Sequence, residues 1–327
     1  MIKNIFVTGG GGYVGAVLVP KLLEIGYQVT AFDLFWYGEK VLDDHSNLQR
    51  ITGDIRNHEL LRQSLPGHDA VIHLACVSND PSFELDPSLG KSINMDSFRP
   101  LVEASLNAGV QRFIYASSSS VYGIKDVKDV DESMTLEPLT DYSRFKAECE
   151  AILAEYQSNK FTTVIVRPAT VCGYSPRQRL DVIVNILTNV AYHKKEITVF
   201  GGEQLRPNIH IKDMAAAYIE ILASPKTRVA GEIFNVGYEN HSVMDIASIV
   251  KSSFGNEVAI TITQTNDNRS YHVSSEKIRD KLNFMPMHTI REAVDELKSA
   301  IDKGLLQDPM NNELYYNIRR MQSLDLQ

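Results

Sequence analysis

Through the first half of the chain, short runs of β-branched and aromatic residues alternate with longer stretches whose apolar positions recur every three or four residues. The runs "NIFVT", "QVTAFD", "LQRITGD", "AVIHLA", "RFIYAS" and "TTVIVR" read as short strands, four of them nearly continuous in apolar or β-branched residues, as strands covered on both faces require. Between the first two, Val14, Val17, Leu18, Leu22 and Ile25 share one face of a helix predicted over Tyr13 to Ile25 and stopped by Gly26. Comparable faces occur over Asn94 to Ala108 and Tyr142 to Tyr156. Strand and helix in alternation predict an α/β fold with a doubly wound parallel sheet. Beyond Arg167 the rhythm breaks into turn-rich, basic stretches such as "GYSPRQR" and "FGGEQLRPN", which mark a second, smaller lobe. The tail after Asp308 is expected to pack loosely.

Composition narrows the chemistry. A chain of 327 residues with 43% hydrophobic and 23% charged residues can bury a large core. A net charge of -8 argues against binding nucleic acid or an anionic membrane surface, both of which need a positive patch. Cys76, Cys149 and Cys172 are odd in number and lack metal-ligand spacing, so neither a disulfide framework nor a metal site is expected. No apolar stretch has the length of a membrane span and the N-terminus carries no cleavage signal, which predicts a cytoplasmic protein.

The first strand runs into "VTGGGGYVG", which sets Gly9, Gly12 and Gly15 at three-residue intervals where the first helix opens. Such a loop turns tightly and aims the unsatisfied N–H groups of a helix N-terminus at a pyrophosphate, so Gly9, Gly12, Tyr13, Val14 and Gly15 are candidate dinucleotide contacts. Asp33, at the end of the second strand, is placed to accept hydrogen bonds from the adenosine ribose and to repel a 2′-phosphate, favouring NAD over NADP. Two Tyr-x-x-x-Lys pairs follow. Tyr142 and Lys146 lie on one helical face, where a cation stabilises a phenolate, whereas Tyr156 and Lys160 fall at an exposed helix end. The serine tract Ser117 to Ser120 follows the strand "RFIYA", which brings it to the ligand-binding edge of the sheet.

Together, "TGGGGYVG", "GDIRN", "VIHLA", "SSSSVYG", "YSRFK", "RPATVCG", "RPNIHIKDMA" and "NRSYHVSSEKI" resemble the extended short-chain dehydrogenase/reductases of the nucleotide-sugar epimerase/dehydratase group. The resemblance implies a Rossmann-type NAD-binding domain over residues 1–166. Residues 167–327 would then be mainly a substrate-binding lobe, with some segments returning to the first domain. It selects Ser118, four positions before the tyrosine of "VYG", as the catalytic serine beside Tyr142 and Lys146. It also implies cofactor contacts at Asp54, Ile55, Leu74, Ala75, Asn94, Tyr142 and Lys146. Substrate contacts are implied at Ser118, Ser119, Thr170, Val199, Phe200, Arg206 and Arg269, the two arginines on the diphosphate of a sugar nucleotide. Related proteins pair the helices here read over Asn94 to Ala108 and Tyr142 to Tyr156, so a homodimer joined through apolar outer faces is expected.

Two departures stand out. The 4,6-dehydratases of this group carry Asp-Glu where this chain has Ser119 and Ser120, and serines do not readily supply the acid and base for eliminating water. Thr170 replaces an asparagine that touches substrate in many relatives. The serines disfavour a dehydratase, while Thr170 leaves the pose of the substrate, or its sugar, open; with the resemblance, this implies a C4 epimerase working through a 4-keto sugar. A nucleotide-sugar 4-dehydrogenase or ketoreductase is the alternative, and a silent NAD-binding sensor on the same fold a more distant one.

Overall fold

The computed structural model describes residues 2–125, 127–265, 270 and 272–324. Among the described residues the strands are β1 (Asn4–Thr8), β2 (Gln28–Asp33), β3 (Leu48–Thr52), β4 (Ala70–His73), β5 (Arg112–Ala116), β6 (Thr162–Pro168), β7 (Thr170–Cys172), β8 (Glu196–Phe200), β9 (Leu205–His210), β10 (Glu232–Val236), β11 (Glu239–Ser242) and β12 (Ala259–Thr263). Seven build one sheet in the order β3-β2-β1-β4-β5-β6-β10, and every pairing in it is parallel. The order reverses between β1 and β4, so a crevice opens there at the carboxyl ends of the strands.

Both faces of this sheet are covered, as its apolar strands require. Ile5, Val7, Ile72, Ile114, Val164 and Val166 enter one core with the Gly15–Ile25 and Ile211–Ala223 helices. Phe6, Val71, Phe113, Tyr115 and Ile165 enter the other, against the Phe98–Asn107 and Asp141–Glu155 helices. Alternation within each strand therefore sorts side chains between two apolar layers rather than between core and water.

The chain leaves the sheet after Pro168 and returns once, as β10. The lobe has its own core, in which Cys172, Val184, Leu187, Ile197, Val199 and Val243 meet beneath the Ile183–Lys194, Val243–Phe254 and Ile290–Asp302 helices. Its strands form a three-stranded sheet, β11-β9-β7, and a pair, β12-β8.

Four local expectations need correction. The first helix begins at Gly15, with Tyr13 and Val14 in the preceding turn. Asn94 lies in a wide π-type turn over Ser92–Asp96, ahead of the Phe98–Asn107 helix. The tail is not loose: a helix over Asn317–Ser323 docks on the large domain, burying Asn317 and Met321. The outer faces of the Phe98–Asn107 and Asp141–Glu155 helices are mixed rather than apolar. Arg99 bridges to Glu155 across them and Tyr156 donates to Glu103, while Leu106 and Ala151 are exposed.

Candidate active site

A cavity of about 450 Å³ occupies the crevice, lined from both lobes. The glycine loop forms its floor. Gly9 has φ of +73°, and a Cβ there would stand 2.6 Å from the backbone nitrogen of Ala75, so no side chain fits between the loops after β1 and β4. At Gly15 a Cβ would lie 2.3 Å from the Gly9 carbonyl oxygen, which keeps the first helix tight against the loop. Gly9, Gly12, Tyr13, Val14 and Gly15 all line the cavity.

Asp33 reaches the same floor. Its Oδ2 accepts from the Gly11 amide at 3.0 Å and its Oδ1 from the Phe35 amide at 2.7 Å. Burial raises its pKa, opposed by these amides and by the charge of Arg177. Asp54, Ile55, Leu74 and Ala75 line the cavity, Asp54 with its carboxylate also held by Arg56. Asn94 is behind the wall. Its amide accepts from Val77 N at 2.8 Å and donates to Val77 O at 2.9 Å, so it braces the loop after β4.

At the end of β5 the serine tract divides its hydroxyls. Ser117 turns away to donate to Glu150, a carboxylate buried with Arg167 in a 2.6 Å ion pair. Ser118 is extended, caps the short helical turn Ser119–Tyr122, and shares a 2.8 Å hydrogen bond with the hydroxyl of Ser120. All four serines touch the cavity, but Ser117 and Ser119 are buried while Ser118 and Ser120 keep exposed surface.

Tyr142 and Lys146 come from the first two turns of the Asp141–Glu155 helix, whose start is fixed by a capping box between Thr140 and Ser143. Lys146 donates to the Ala116 carbonyl at 2.7 Å and lies 5.8 Å from the centre of the Tyr142 ring. Burial pushes the Tyr142 phenol well above its ordinary pKa, and the nearby Asp80 carboxylate pushes the same way; Arg179 and the Ser118 hydroxyl pull it down. Proximity to Lys146 therefore does not bring this phenol near neutrality in the isolated chain.

From the smaller lobe, Thr170 and Arg206 line the cavity. Val199 and Phe200 do not: β8 turns Val199 into the lobe core and leaves Phe200 58% exposed. Arg269 lies outside the described residues. The structure adds residues that sequence reasoning passed over, namely Tyr37, Ser78, Arg177, Arg179, Asn317 and Met321. The basic run "GYSPRQR" carried a signal for the two arginines; nothing local marked Asn317 or Met321. Among the described residues, no group of three or more His, Cys, Asp or Glu side chains could hold a metal ion, and no helix is long and apolar enough to cross a membrane.

Comparison with known proteins finds relatives in sequence and in fold. The uncharacterized protein y4nG of Sinorhizobium fredii is 35% identical over 221 residues, covering 67% of this chain, which spans about half (53%) of that longer protein. YtcB of Bacillus subtilis, described as an uncharacterized UDP-glucose epimerase, is 31% identical over 79% of this chain and 84% of its own length. A UDP-glucose 4-epimerase of Thermotoga maritima, solved with UDP-glucose, superposes with a TM-score of 0.83 at 25% identity over 92% of this chain and 99% of that one. Residues 5–237 match the model of the NAD dependent epimerase/dehydratase family, and the chain belongs to that family.

Proposed function

We propose that this protein is an NAD-dependent nucleotide-sugar epimerase that inverts C4 through a transient 4-keto sugar. The observation that carries this reading is the convergence of Ser118 and Tyr142 with the glycine loop in one cavity. The residues present fit the cofactor: the floor excludes any Cβ at Gly9, the helix that starts at Gly15 opens on the cavity, and a carboxylate stands at the end of β2. NAD, when bound, would supply the hydride acceptor and the positive charge that the buried Tyr142 needs to act as a phenolate.

Tyr142 Oη takes the proton from the sugar hydroxyl as C4 is oxidised and returns one on re-reduction, while Ser118 Oγ hydrogen-bonds the same oxygen. Lys146, tied to Ala116, contributes a fixed positive charge and a donor towards the nicotinamide ribose. Arg206, together with Arg269, is assigned to the substrate diphosphate, for which a guanidinium fork is well suited. Ser119 and Ser120 leave the elimination of water without its acid and base; Asp80 lines the cavity, but its carboxylate accepts from Thr140 at 2.6 Å.

Incubation with UDP-, GDP-, CDP- and dTDP-sugars, with products read by NMR and NADH by absorbance, tests the reading. A C4-inverted sugar without net NADH is expected. NADH rising in step with a keto sugar would make the protein a 4-dehydrogenase, and a 4-keto-6-deoxy product would overturn the assignment of the serines. A homodimer through the Phe98–Asn107 and Asp141–Glu155 helices belongs to the same proposal, with exposed Leu106 and Ala151 as its apolar contacts. A monomeric mass in light scattering would remove it.

A further inference from the structure

The segment joining β7 to the Ile183–Lys194 helix folds inward over the glycine loop, where Ser175 Oγ donates to the Tyr13 carbonyl at 2.8 Å. It carries two arginines into the cavity. Arg177 is only 4% exposed, and its guanidinium carbon lies 3.5 Å from the centre of the Tyr37 ring. Its Nη2 donates to Asn317 Oδ1 at 2.5 Å and its Nη1 to the Gln178 carbonyl at 3.4 Å. Its Nε is buried without a partner, and among the described residues no carboxylate forms an ion pair with it. Arg179 is paired with Asp181 at 2.8 Å and donates to Ser78 at 3.2 Å, leaving Nη2 buried and unpartnered.

Two guanidiniums sealed from water with one carboxylate, Asp181, to serve them are an expensive arrangement that an anion would relieve. The position of the pair tells which anion. The charge of Arg177 acts on Asp33 at the end of β2, that of Arg179 acts on Tyr142, and both act on Tyr13 in the glycine loop. A dinucleotide held between Asp33 and Tyr142 carries its two phosphates across this interval. We infer that Arg177 and Arg179 form a cationic wall for the diphosphate of the bound dinucleotide, facing the helix N-terminus across it. The inference rests on reading the crevice as a dinucleotide site. It is separate from the substrate diphosphate, which is assigned to Arg206 on β9.

Arg177→Met keeps an aliphatic stem and removes the guanidinium that lies on Tyr37; Asn317→Asp supplies a counterion from within. Calorimetric titration of the full chain with NAD, ADP-ribose, adenosine, NADP and UDP, alongside thermal melts without ligand, tests the wall. Both variants should bind NAD and ADP-ribose at least about tenfold more weakly, a loss on the scale of one charge-assisted contact. Adenosine and UDP should bind as before, and the ligand-free melting temperature should hold or rise. Unchanged NAD affinity in both variants would overturn the inference and leave the functional reading standing. A loss confined to UDP would move the arginines to the nucleotide sugar, and one confined to NADP would move them to a 2′-phosphate; either overturns the dinucleotide assignment. An equal loss for adenosine would mean general collapse of the site and also overturns it. Failure of the native protein to bind NAD would overturn the functional reading and the inference together.

Discussion

The two Tyr-x-x-x-Lys pairs have the same spacing and close neighbours in sequence, yet they sit in opposite surroundings. Tyr142 and Lys146 belong to the first turns of one helix, and Lys146 is buried against the carbonyl end of β5. Tyr156 stands where that helix ends, accepting from Arg99 at 2.9 Å and donating to Glu103 at 2.8 Å, and Lys160 is exposed in the turn beyond. Spacing brings two side chains to one helical face only where the helix continues through both. What sets the first pair apart is the meeting of that face with the crevice between β1 and β4.

The contrast is broken most directly by removing each phenol. Tyr142→Phe should lower turnover by roughly 10²- to 10⁴-fold, the range for loss of a positioned acid/base, with NAD titrating as in the native protein. Tyr156→Phe should leave turnover within about twofold, since its hydroxyl meets Arg99 and Glu103 away from the cavity. Comparable losses in both would mean that burial is the wrong criterion.

Ion pairs on the same helix extend the contrast. Glu150→Gln strands Arg167 with its side chain 3% exposed, and should cost about 3–5 kcal/mol in denaturant unfolding, whereas Glu155→Gln should leave the unfolding midpoint essentially unchanged. A smaller effect sharpens the role of the serine. Ser118 lowers the pKa of Tyr142, so its removal raises that pKa further and the deprotonated form appears only at higher pH. Ser118→Ala should therefore slow turnover by roughly ten- to a hundredfold and move the alkaline-rising limb of the pH–rate profile upwards, while Ser119→Ala moves neither appreciably. The smallest effect belongs to the cofactor end. Asp33→Asn should narrow the preference for NAD over NADP by about tenfold or less in competition titrations, because only the repulsion of a 2′-phosphate is relieved.

The large domain was legible because its strands are written as apolar runs and its loop as glycines that nothing else could replace. Gly9, Asp33 and the serine tract lie at the ends of those strands, so locating the strands located them; the resemblance then picks Ser118 out of the tract, and the tract's place at the sheet edge favours Tyr142 over Tyr156. The smaller lobe obeys no such local rule. Val199 and Phe200 lie next to a Gly-Gly turn in a strand whose faces cannot be told apart until the helices over it are known. Arg177 reads as a surface charge in the chain, and becomes a buried cation only because Asn317, far along the sequence, returns to cover it. Residues placed by a distant return of the backbone leave no periodic trace.

The carboxylate of Glu150 has a consequence for alignment. It holds Arg167 on β6, and it also accepts the hydroxyl of Ser117, the residue immediately before Ser118. Turning the helix by one residue would swing its side chains through about 100° and carry Tyr142 out of the cavity. Glu150, two turns further along the same helix, resists that rotation through Arg167 while tethering the strand end that presents the serine. The azimuth of the tyrosine and the reach of the serine are thus set by a single anion that neither of them touches, and an error at that anion would misalign both at once.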